Sequence, residues 1–455
     1  MRKEVDWQEL QQKLHAGEAA IEFVNYYLND EDSIISSKYG ALVLKPEMSH
    51  PEFVFLCNGN DLSLLESLQL NRRLDYVNEL YSKTDRGANA VEHKNKSLYE
   101  LLWSKMERTL AGVNTIYFSP IGLLHRINLN AIPISEEETL ADRFNFIEQI
   151  STRQLVFPYQ QEITSSDAVL YGGIRFDVDT SLNSKEPFLT SITSRSHFVN
   201  SVDSSLRGGA WNYLPGTDKE VNVIGNFISN AGLKTKLFKG FFATEESFKE
   251  IGIGNTQSPR ILHLATHGYF FSDPERTSST VNGIAQDRTK NQETSKVDSS
   301  KTNGSLIVSE PVFKISDHPM LRSGLILAGG NEGWNGKQLL EGKEDGVLTA
   351  FEISQMNLSN TELVVLSACE TGLGDIQGNE GVYGLQRAFK IAGAKYLIMS
   401  LWQVPDKQTS LLMTTFYKKW LENKMSIPNA FHAAQKELRD IGLDPYQWAG
   451  FVLVE

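Results

Sequence analysis

Cys369 and His267 are the two residues whose type and surroundings point most directly to chemistry. Cys369 ends an apolar run and precedes a glycine-containing turn, and His267 follows a second apolar run and directly precedes Gly268. A buried strand that ends in a turn holds its last side chain rigidly and leaves it open to a substrate. A thiol with a pKa of about 8.5 is only slightly ionised at neutral pH, so it needs a neighbouring imidazole to take its proton. The pattern therefore predicts a nucleophile–base pair of Cys369 and His267.

The glycines near both residues weigh against the alternative that Cys369 is a small core residue and His267 an ordinary surface histidine. Free cysteines are commonly buried without a function. Glycine, however, allows tight turns and close approach of the backbone, and it leaves amide groups free to bind a developing oxyanion. We expect the amides of Gly268 and Cys369 to be these donors. Because no second cysteine or close acidic partner completes a ligand set, no metal or other cofactor is expected.

Two other arrangements of imidazole and thiol are possible, and both are interpreted as structural. His263 precedes His267 by four residues, which places both side chains on one face of a strand but roughly 13 Å apart. His263 is therefore expected to be buried, and His267, at the exit of the strand, to be the base. Cys57 and His125 form a further pair in the N-terminal half, but only Asn58-Gly59 frames that thiol.

The elements that position these residues follow an alternation of strands and helices. Uniformly apolar runs are typical of strands buried on both faces, as in parallel sheets covered by helices. Such runs, separated by helical segments, lie at 168–171, 261–266, 363–366, 396–402 and 451–454. Ligands bind beyond the carboxyl ends of the strands in such sheets, which is where Cys369 and His267 lie.

The length of 455 residues is too great for one ordinary core, so we expect more than one domain. Residues 1–160 are predicted to form an α/β domain of their own, and residues 161–455 the domain with the candidate site. The segment 272–310 interrupts the second domain and is rich in Ser, Thr, Asn, Lys and Asp. It cannot bury enough apolar surface to offset its ordering entropy, which predicts a disordered insertion at the rim of the site. Its basic residues are candidate autoprocessing sites.

Four residues near strand ends are candidates for contacting a substrate side chain. Asp406 follows the strand that ends at Trp402, Asp177 follows the first strand of the second domain, and Glu380 flanks the loop of Cys369. A carboxylate at the base of a pocket selects Lys or Arg by charge-assisted hydrogen bonds. The alternative for each carboxylate is a helix N-cap, which for Asp406 is as good an interpretation as the pocket. Trp402 either walls the pocket or belongs to the core.

The bulk composition narrows the classes of function. A net charge of −12 without a basic run argues against a phosphate-binding surface, so no nucleic-acid partner is expected. The sequence has two cysteines, at no spacing typical of a zinc site or a disulfide framework, which indicates a reducing compartment. The N-terminus has no apolar signal region and the apolar runs are strand-sized. We therefore expect a cytoplasmic protein that does not enter a membrane.

The residues around the predicted pair resemble the CHAT family, caspase-like cysteine peptidases of clan CD that include bacterial relatives of separase. The similar segments follow one another in order at 263–268, 322–328, 366–372, 381–389, 392–394, 400–406 and 448–453. The resemblance implies a caspase-like three-layer sandwich with a six-stranded, mostly parallel sheet, preceded by a degenerate caspase-like α/β domain without activity. It also implies His267 and Cys369 as the catalytic dyad, and Asp406 as the residue that binds a basic P1 side chain.

The function implied is that of a cysteine endopeptidase that cleaves a protein substrate after a basic residue, in bacterial defence or regulated cell death. The TPR helices that commonly precede the peptidase domain in this family have no counterpart in the sequence. The chain is therefore interpreted as a short member or as one whose TPR-containing or other sensor is a separate protein. Two alternatives stay open: a catalytically silent caspase-like scaffold that binds a partner protein, and an acyl-transfer enzyme acting on small esters.

Overall fold

The structure is a computed structural model of the protein. The residues described are 4–29, 35–62, 73–81, 97–159, 161–178, 210–254, 256–271, 311, 313, 316, 318–336, 343–368, 375–376 and 382–455. The predicted insertion at 272–310 lies outside these ranges, as do Cys369 and Glu380.

Strands and helices alternate along the described chain. The strands are β1 (Glu18–Asn29), β2 (Ile35–Leu44), β3 (Glu52–Asn58), β4 (Thr115–Ser119), β5 (Asn145–Glu148), β6 (Asp167–Ile174), β7 (Lys234–Gly240), β8 (Ile261–Leu264), β9 (His267–Phe270), β10 (Ser323–Ile326), β11 (Val347–Thr349), β12 (Leu363–Leu366), β13 (Asp375–Ile376), β14 (Val382–Tyr383), β15 (Tyr396–Ser400) and β16 (Phe451–Val454). The α-helices are α1 (Trp7–Gln11), α2 (Arg73–Leu80), α3 (Leu98–Leu102), α4 (Pro215–Asn230), α5 (Glu245–Lys249), α6 (Gly330–Trp334), α7 (Ala350–Ser354), α8 (Leu385–Ala392), α9 (Asp406–Tyr417), α10 (Ile427–Asp440) and α11 (Pro445–Trp448).

One mostly parallel sheet runs through the molecule. Its strand order is β3-β2-β1-β4-β5-β16-β15-β12-β8-β6-β7. The six strands from β16 to β7 belong to the second half of the sequence, and all of their pairings are parallel except that of β15 with β16. The predicted α/β class with a six-stranded sheet is therefore confirmed for this half. The strand count of the whole sheet is larger than predicted, because five N-terminal strands continue it.

The two halves join where β5 pairs with β16. This junction is short, with Val454 opposite Glu148 and the Glu455 amide donating to the Glu148 carbonyl oxygen at 2.8 Å. Asn128 reinforces it, since its side-chain amide donates to the carbonyl oxygens of Ala449 and Phe451 at 2.9 and 3.2 Å. The N-terminal strands are thus hydrogen-bonded to the rest through the last strand of the sequence.

Helix α4 shows how the sequence covers this sheet. Its buried residues Val221, Ile224, Gly225 and Ile228 recur at helical spacing and form one apolar stripe. Pro215 begins the helix, where its missing N–H leaves no hydrogen bond unmade. The helix packs against β6, β7 and α9. No described helix combines the length and the apolar character that crossing a membrane would need.

A second, antiparallel sheet of β9, β10 and β11 stands beside the large one. These strands are three or four residues long, and the sequence did not reveal them. The sequence predicts a single helix over 346–355, but this segment divides into β11 and α7. The Thr349 side chain caps the helix by accepting from the Glu352 amide, and the Glu352 carboxylate accepts from the Thr349 amide.

Two predicted elements of the N-terminal half differ from the structure. The sequence of 154–157 predicts a strand, but this segment overlaps the 3₁₀ turn Thr152–Leu155 and does not join the sheet. The carboxylate of Glu22, 130 positions away, accepts from the Thr152 amide at 2.7 Å, and the Ser151 side chain caps the turn by accepting from the Arg153 amide. The helical spacing of apolar residues over 97–111 predicts one helix, but the helix ends at Leu102 and a 3₁₀ turn, Ser104–Met106, follows it.

Candidate active site

His267 is positioned by the passage of the chain from the large sheet to the small one. Strand β8 ends at Leu264, and three residues later His267 begins β9, where it lies opposite Ile326 of β10. Between the strands, the buried Thr266 hydroxyl donates to the Ile326 carbonyl oxygen. His267 was expected at the end of a strand, but it starts the next one. The residue before it, Thr266, is hydrogen-bonded to Ile326, and the residue after it, Gly268, is paired with Leu325.

The imidazole of His267 is enclosed by two aromatic rings and one backbone carbonyl group. The ring centroids of Phe176 and Trp211 lie 5.0 and 4.9 Å from that of His267. Its Nε2 atom lies 2.7 Å from the carbonyl oxygen of Asn212. Because a carbonyl oxygen can only accept, Nε2 carries the proton of the neutral ring, and Nδ1 keeps the free lone pair. The geometry therefore assigns Nδ1 as the basic atom.

Enclosure also sets the protonation state of this ring. Burial lowers the pKa of His267 to about 4, and the hydrogen bond to Asn212 opposes part of that shift. At neutral pH the side chain is therefore uncharged and able to accept a proton.

Cys369 itself lies outside the described residues, but the strand that leads to it is described. Strand β12 runs parallel to β8 with Leu366 opposite Leu264. Cys369 follows Leu366 by three residues, and His267 follows Leu264 by the same interval. The last described residue before the thiol, Ala368, is fixed because its carbonyl oxygen accepts from the Ser400 hydroxyl at 2.6 Å.

A small pocket opens at the carboxyl ends of β8, β12 and β15, between the approaches to the two predicted catalytic residues. Its lining residues come from the strand ends and from the first turns of α4 and α9, and they are Leu214, Thr217, Glu220, Thr266, Ser367, Ala368, Ser400, Val404, Asp406, Thr409 and Phe451. The Ser367 hydroxyl is buried and has no hydrogen-bond partner within the described part of the chain. An unsatisfied buried hydroxyl costs free energy, which a ligand's polar group would relieve.

Asp406 lies in this pocket and does not cap a helix. It is the first residue of α9, the N-cap position belongs to Pro405, and no side chain caps that helix. Its carboxyl group accepts no hydrogen bond from the described residues. Partial burial, and the charge of Glu220 next to it, raise the pKa of Asp406 above its ordinary value. A carboxylate with unused acceptor capacity is suited to binding a cationic side chain.

Glu220 is the pocket residue that sequence reasoning missed. It is buried in the first turns of α4, and its Oε1 atom lies 2.9 Å from Nε2 of His263. On the other side, the Tyr417 hydroxyl lies 3.3 Å from Nδ1 of His263. His263 is fully buried, as its mid-strand position predicted. The signal available in the sequence was a glutamate one turn from the start of a helix, which alone does not distinguish a buried residue from an exposed one.

The other predicted contact residues lie elsewhere in the fold. Trp402 is buried, donates its indole N–H to the Tyr446 carbonyl oxygen at 2.9 Å and does not line the pocket, which fits the core alternative. Asp177 is exposed after β6 and accepts a hydrogen bond from the Asn331 amide at 2.8 Å. Gly268 lies in β9 opposite Leu325, directly after His267.

The second thiol, Cys57, is buried in β3, consistent with its structural interpretation. His125 lies in a 3₁₀ turn, and burial lowers its pKa to about 4. No described hydrogen bond joins the two side chains.

One acidic cluster has the composition of a cation site, but a lysine occupies it. Three carboxylates, from Glu245, Glu344 and Glu352, surround Lys249, whose Nζ atom lies 2.7, 3.0 and 2.7 Å from them. The ammonium group of Lys249 thus balances the charge of the three carboxylates and takes the position that a metal ion would need.

A family model of the CHAT domain matches residues 93–455. Among characterised proteins, Tetratricopeptide repeat protein 28 of Mus musculus is 32% identical over 110 residues, which is 24% of this chain and 4% of that protein. Its Homo sapiens counterpart matches with the same identity and coverage. The chain therefore corresponds to a small fraction of the length of these relatives.

Two solved structures share a similar course of the chain at low sequence identity. A crystal structure of the Arg-specific cysteine proteinase gingipain R has a TM-score of 0.39 and 10% identity, covering 85% of this chain and 67% of that one. A crystal structure of the Saccharomyces cerevisiae separase–securin complex has a TM-score of 0.46 and 9% identity, covering 98% of this chain and 30% of that one.

Proposed function

Since the chain belongs to the CHAT domain family, with the family model covering residues 93–455, we propose that it is a cysteine endopeptidase acting on a protein substrate. The observation that carries the proposal is the state of His267, a neutral imidazole with Nε2 bonded to Asn212 and the Nδ1 lone pair available. His267 follows β8, which pairs directly with the strand that leads to Cys369. A general base needs this combination of fixed orientation and available lone pair.

The proposed reaction begins with transfer of the Cys369 thiol proton to Nδ1 of His267. The thiolate sulfur attacks the substrate carbonyl carbon, and the amides of Gly268 and Cys369 bind the oxyanion that forms. When the carbon–nitrogen bond breaks, His267 gives its proton to the leaving amine, and a thioester remains. Water then attacks the thioester, its proton returns through His267 to the sulfur, and the new carboxyl group leaves.

The pocket suggests which residue precedes the cleaved bond. Asp406 and Glu220 place two carboxyl groups among mainly apolar or hydroxyl-bearing neighbours, and Ser367 adds an unpaired hydroxyl group. A basic side chain would supply donors to all three. We therefore propose cleavage after Lys or Arg, with Asp406 as the principal contact. Asp177 is bonded to Asn331 and Trp402 is buried in the core, so neither is proposed to bind the substrate. Glu380 lies outside the described residues, and no role is proposed for it.

Regulation by a second protein is proposed from the family rather than from the site. Both characterised relatives are named tetratricopeptide repeat proteins, and the match to this chain covers 4% of each of them. A separate sensor or activator protein, in bacterial defence or regulated cell death, fits such an organisation, and processing of the chain within 272–310 would be one route of activation.

The test is labelling and cleavage with peptides that differ at one position. A thiol-reactive peptide probe ending in Arg is expected to label the wild type, and a matched probe ending in Met to label it much less. Cys369→Ala is expected to abolish labelling and peptide cleavage without changing the melting temperature, whereas Cys57→Ala, the matched control, is expected to keep labelling.

Cleavage that survives Cys369→Ala would refute the peptidase assignment. Absence of labelling in the wild type, with a folded protein and with candidate partners added, would favour the scaffold alternative.

A further inference from the structure

We propose that Asn331 is a positioning residue for His267: its side chain clamps residues 210–213 to the loop that follows β6, and so keeps the Asn212 carbonyl oxygen on Nε2. The inference rests on the proposed function in so far as that function makes His267 the base. The two are tested by separate measurements below.

Asn331 uses both ends of its amide on the 210–213 segment. Its Oδ1 atom accepts from the Trp211 amide at 2.6 Å, and its Nδ2 atom donates to the Trp211 carbonyl oxygen at 3.2 Å. The same Nδ2 atom donates to Asp177 at 2.8 Å, and the backbone amide of Asn331 donates to the Phe176 carbonyl oxygen at 2.9 Å. One buried residue thus holds two segments that are remote from it in sequence.

Both of the clamped segments touch His267. Phe176 and Trp211 supply the two rings that enclose the imidazole, and the backbone of each residue is hydrogen-bonded to Asn331. The residue after Trp211 provides the acceptor for Nε2. Loss of the hydrogen bonds of Asn331 would therefore displace the two enclosing rings and the Asn212 carbonyl group together.

Asn331 is itself fixed to the strand that pairs with His267. It is the second residue of α6, which follows β10 through Gly329, a glycine with φ of +81°. Since Ile326 of β10 lies opposite His267, the clamp and the base belong to one continuous unit. Trp334 at the end of α6 adds to this unit, with its ring centroid 4.9 Å from that of Trp211.

The charged side chains of the loop after β6 are already engaged in the same arrangement. Arg175 lies over the ring of Tyr213, 4.3 Å from its centroid, and Asp177 accepts from Asn331. An amide is the side chain that can accept from one backbone N–H and donate to a carbonyl group and a carboxylate at once. Aspartate at position 331 would keep the acceptor, lose the donor and place two carboxylates together, while leucine would lose both functions.

Loss of the clamp has a direct chemical consequence for His267. More water would reach the half-buried imidazole, and Nε2 would no longer be tied to one acceptor. Since burial is the largest cause of its low pKa, the pKa would rise toward the ordinary value, and the ring would lose its single tautomer.

The test is nitrogen-15 NMR of the imidazole in protein labelled at histidine, with the His267 signals assigned from a His267→Ala variant. The wild type is expected to show a neutral ring protonated at Nε2 down to about pH 5. Asn331→Asp is expected to raise the titration midpoint of His267 by more than one pH unit and to mix the tautomers. The double variant Asn331→Asp with Asp177→Asn, which reverses the donor and acceptor between the two side chains, is expected to move both readouts back toward the wild type.

The matched control is Asn335→Ala, which removes an exposed amide bonded to the Asn331 carbonyl oxygen one turn along the helix. It is expected to leave the titration of His267 unchanged. Asp177→Ala, at an exposed position, serves if Asn331→Asp does not fold, and is expected to give a smaller shift in the same direction. If peptidase activity is present, Asn331→Asp is expected to lower kcat/KM about 10- to 100-fold.

An unchanged tautomer and titration of His267 in folded Asn331→Asp would overturn the inference, whatever the activity. Conversely, a wild type without peptidase activity would refute the proposed function and leave the NMR result to decide the role of Asn331.

Discussion

At the scale of single residues, the pocket combines groups that are costly to keep together. Asp406 is held beside Glu220, and both partial burial and that neighbouring charge raise its pKa. A raised carboxyl pKa means that the charged form is less stable in the folded protein than in the unfolded chain, so ionised Asp406 opposes folding at neutral pH. Groups held in this way are more common at functional sites than elsewhere.

Asp406→Asn is predicted to weaken binding of peptides with a basic residue at the cleavage site. Loss of a charge-assisted hydrogen bond, about 1.5–3 kcal/mol, corresponds to a roughly 10- to 100-fold increase in KM. In the wild type, KM for such a peptide is expected to rise as pH falls through the raised pKa of Asp406, because protonation removes the charge. The variant is expected to lose this pH dependence.

The measurement is KM for matched Arg and Met peptides between pH 5 and 8. Asp440→Asn, at an exposed carboxylate, is the control and is expected to behave as the wild type. An Arg-to-Met preference that stays the same in Asp406→Asn would exclude Asp406 from the pocket's selectivity. The same substitution is expected to raise the melting temperature slightly, because it removes a destabilised charge.

At the scale of elements, Gly346 is where three elements meet closely. Its carbonyl oxygen accepts from the Leu327 amide at 2.7 Å, and its own amide donates to Glu245 of α5 at 2.8 Å. With φ of +75°, it lies against the start of α6, and a Cβ atom there would be 2.6 Å from the Gly330 nitrogen. The position of α6, and with it Asn331, depends on the absence of that atom.

Gly346→Ala is therefore predicted to destabilise the protein by more than the strain of an alanine at positive φ. Gly442→Ala is the matched control, since Gly442 has φ of +86° and no described atom within 4 Å of a built Cβ. The control is expected to cost about 1–2 kcal/mol of unfolding free energy. Gly346→Ala is expected to cost a further 1–3 kcal/mol or so from the backbone overlap. Equal losses for the two variants in urea titrations would contradict this account.

The same elements show how far the sequence could be interpreted. Strands such as Leu363–Leu366 were predictable because uniformly apolar runs are buried on both faces of a sheet. The strand Ser323–Ile326 was not, because four residues with a glycine carry no clear period and form a strand by pairing with His267–Phe270 on one side and Val347–Thr349 on the other. The role of Asn212 was equally hidden, since it acts through a backbone carbonyl group that any residue possesses.

Within the candidate site, too, features encoded by local sequence were predictable, and contacts between distant segments were not. The burial of His263 within β8 was deducible from local sequence, whereas the start of a second strand at His267 was not. The pairing of Glu220 with His263, and the contact of Trp211 with His267, join residues that are more than 40 positions apart. Such contacts are set by the packing of helices on the sheet, which the sequence of either segment alone does not specify.

At the scale of the whole molecule, a charge cluster supports the junction between the halves. Asp142 accepts from Arg439 at 2.6 and 3.0 Å and from Lys436 at 2.7 Å, both of which lie on α10. These hydrogen bonds hold the pKa of Asp142 well below its usual range, although burial opposes them. Because the folded-state pKa is depressed, the stabilisation is complete above the unfolded pKa and is lost as pH falls through the folded one.

Asp142→Asn is predicted to lower the free energy of unfolding by about 1.5–3 kcal/mol at pH 7, the value of hydrogen bonds to charged groups. The loss is expected to be the same at pH 5 and to shrink only in strong acid. Glu138→Gln, which removes an exposed ion pair with Arg143, is the control and is expected to cost less than about 1 kcal/mol. Urea denaturation measures both, and equal costs for the two variants would show that the cluster does not bind the halves together.

Strand β16 has a consequence for the order of events in the life of the chain. It occupies an interior position in the sheet, and its first residue, Phe451, is also a wall of the pocket. During synthesis, every other pocket residue leaves the ribosome earlier, yet the cavity stays open on one side until Phe451 emerges. A nascent chain would therefore lack the complete pocket until β16 has been synthesised and has paired with β15.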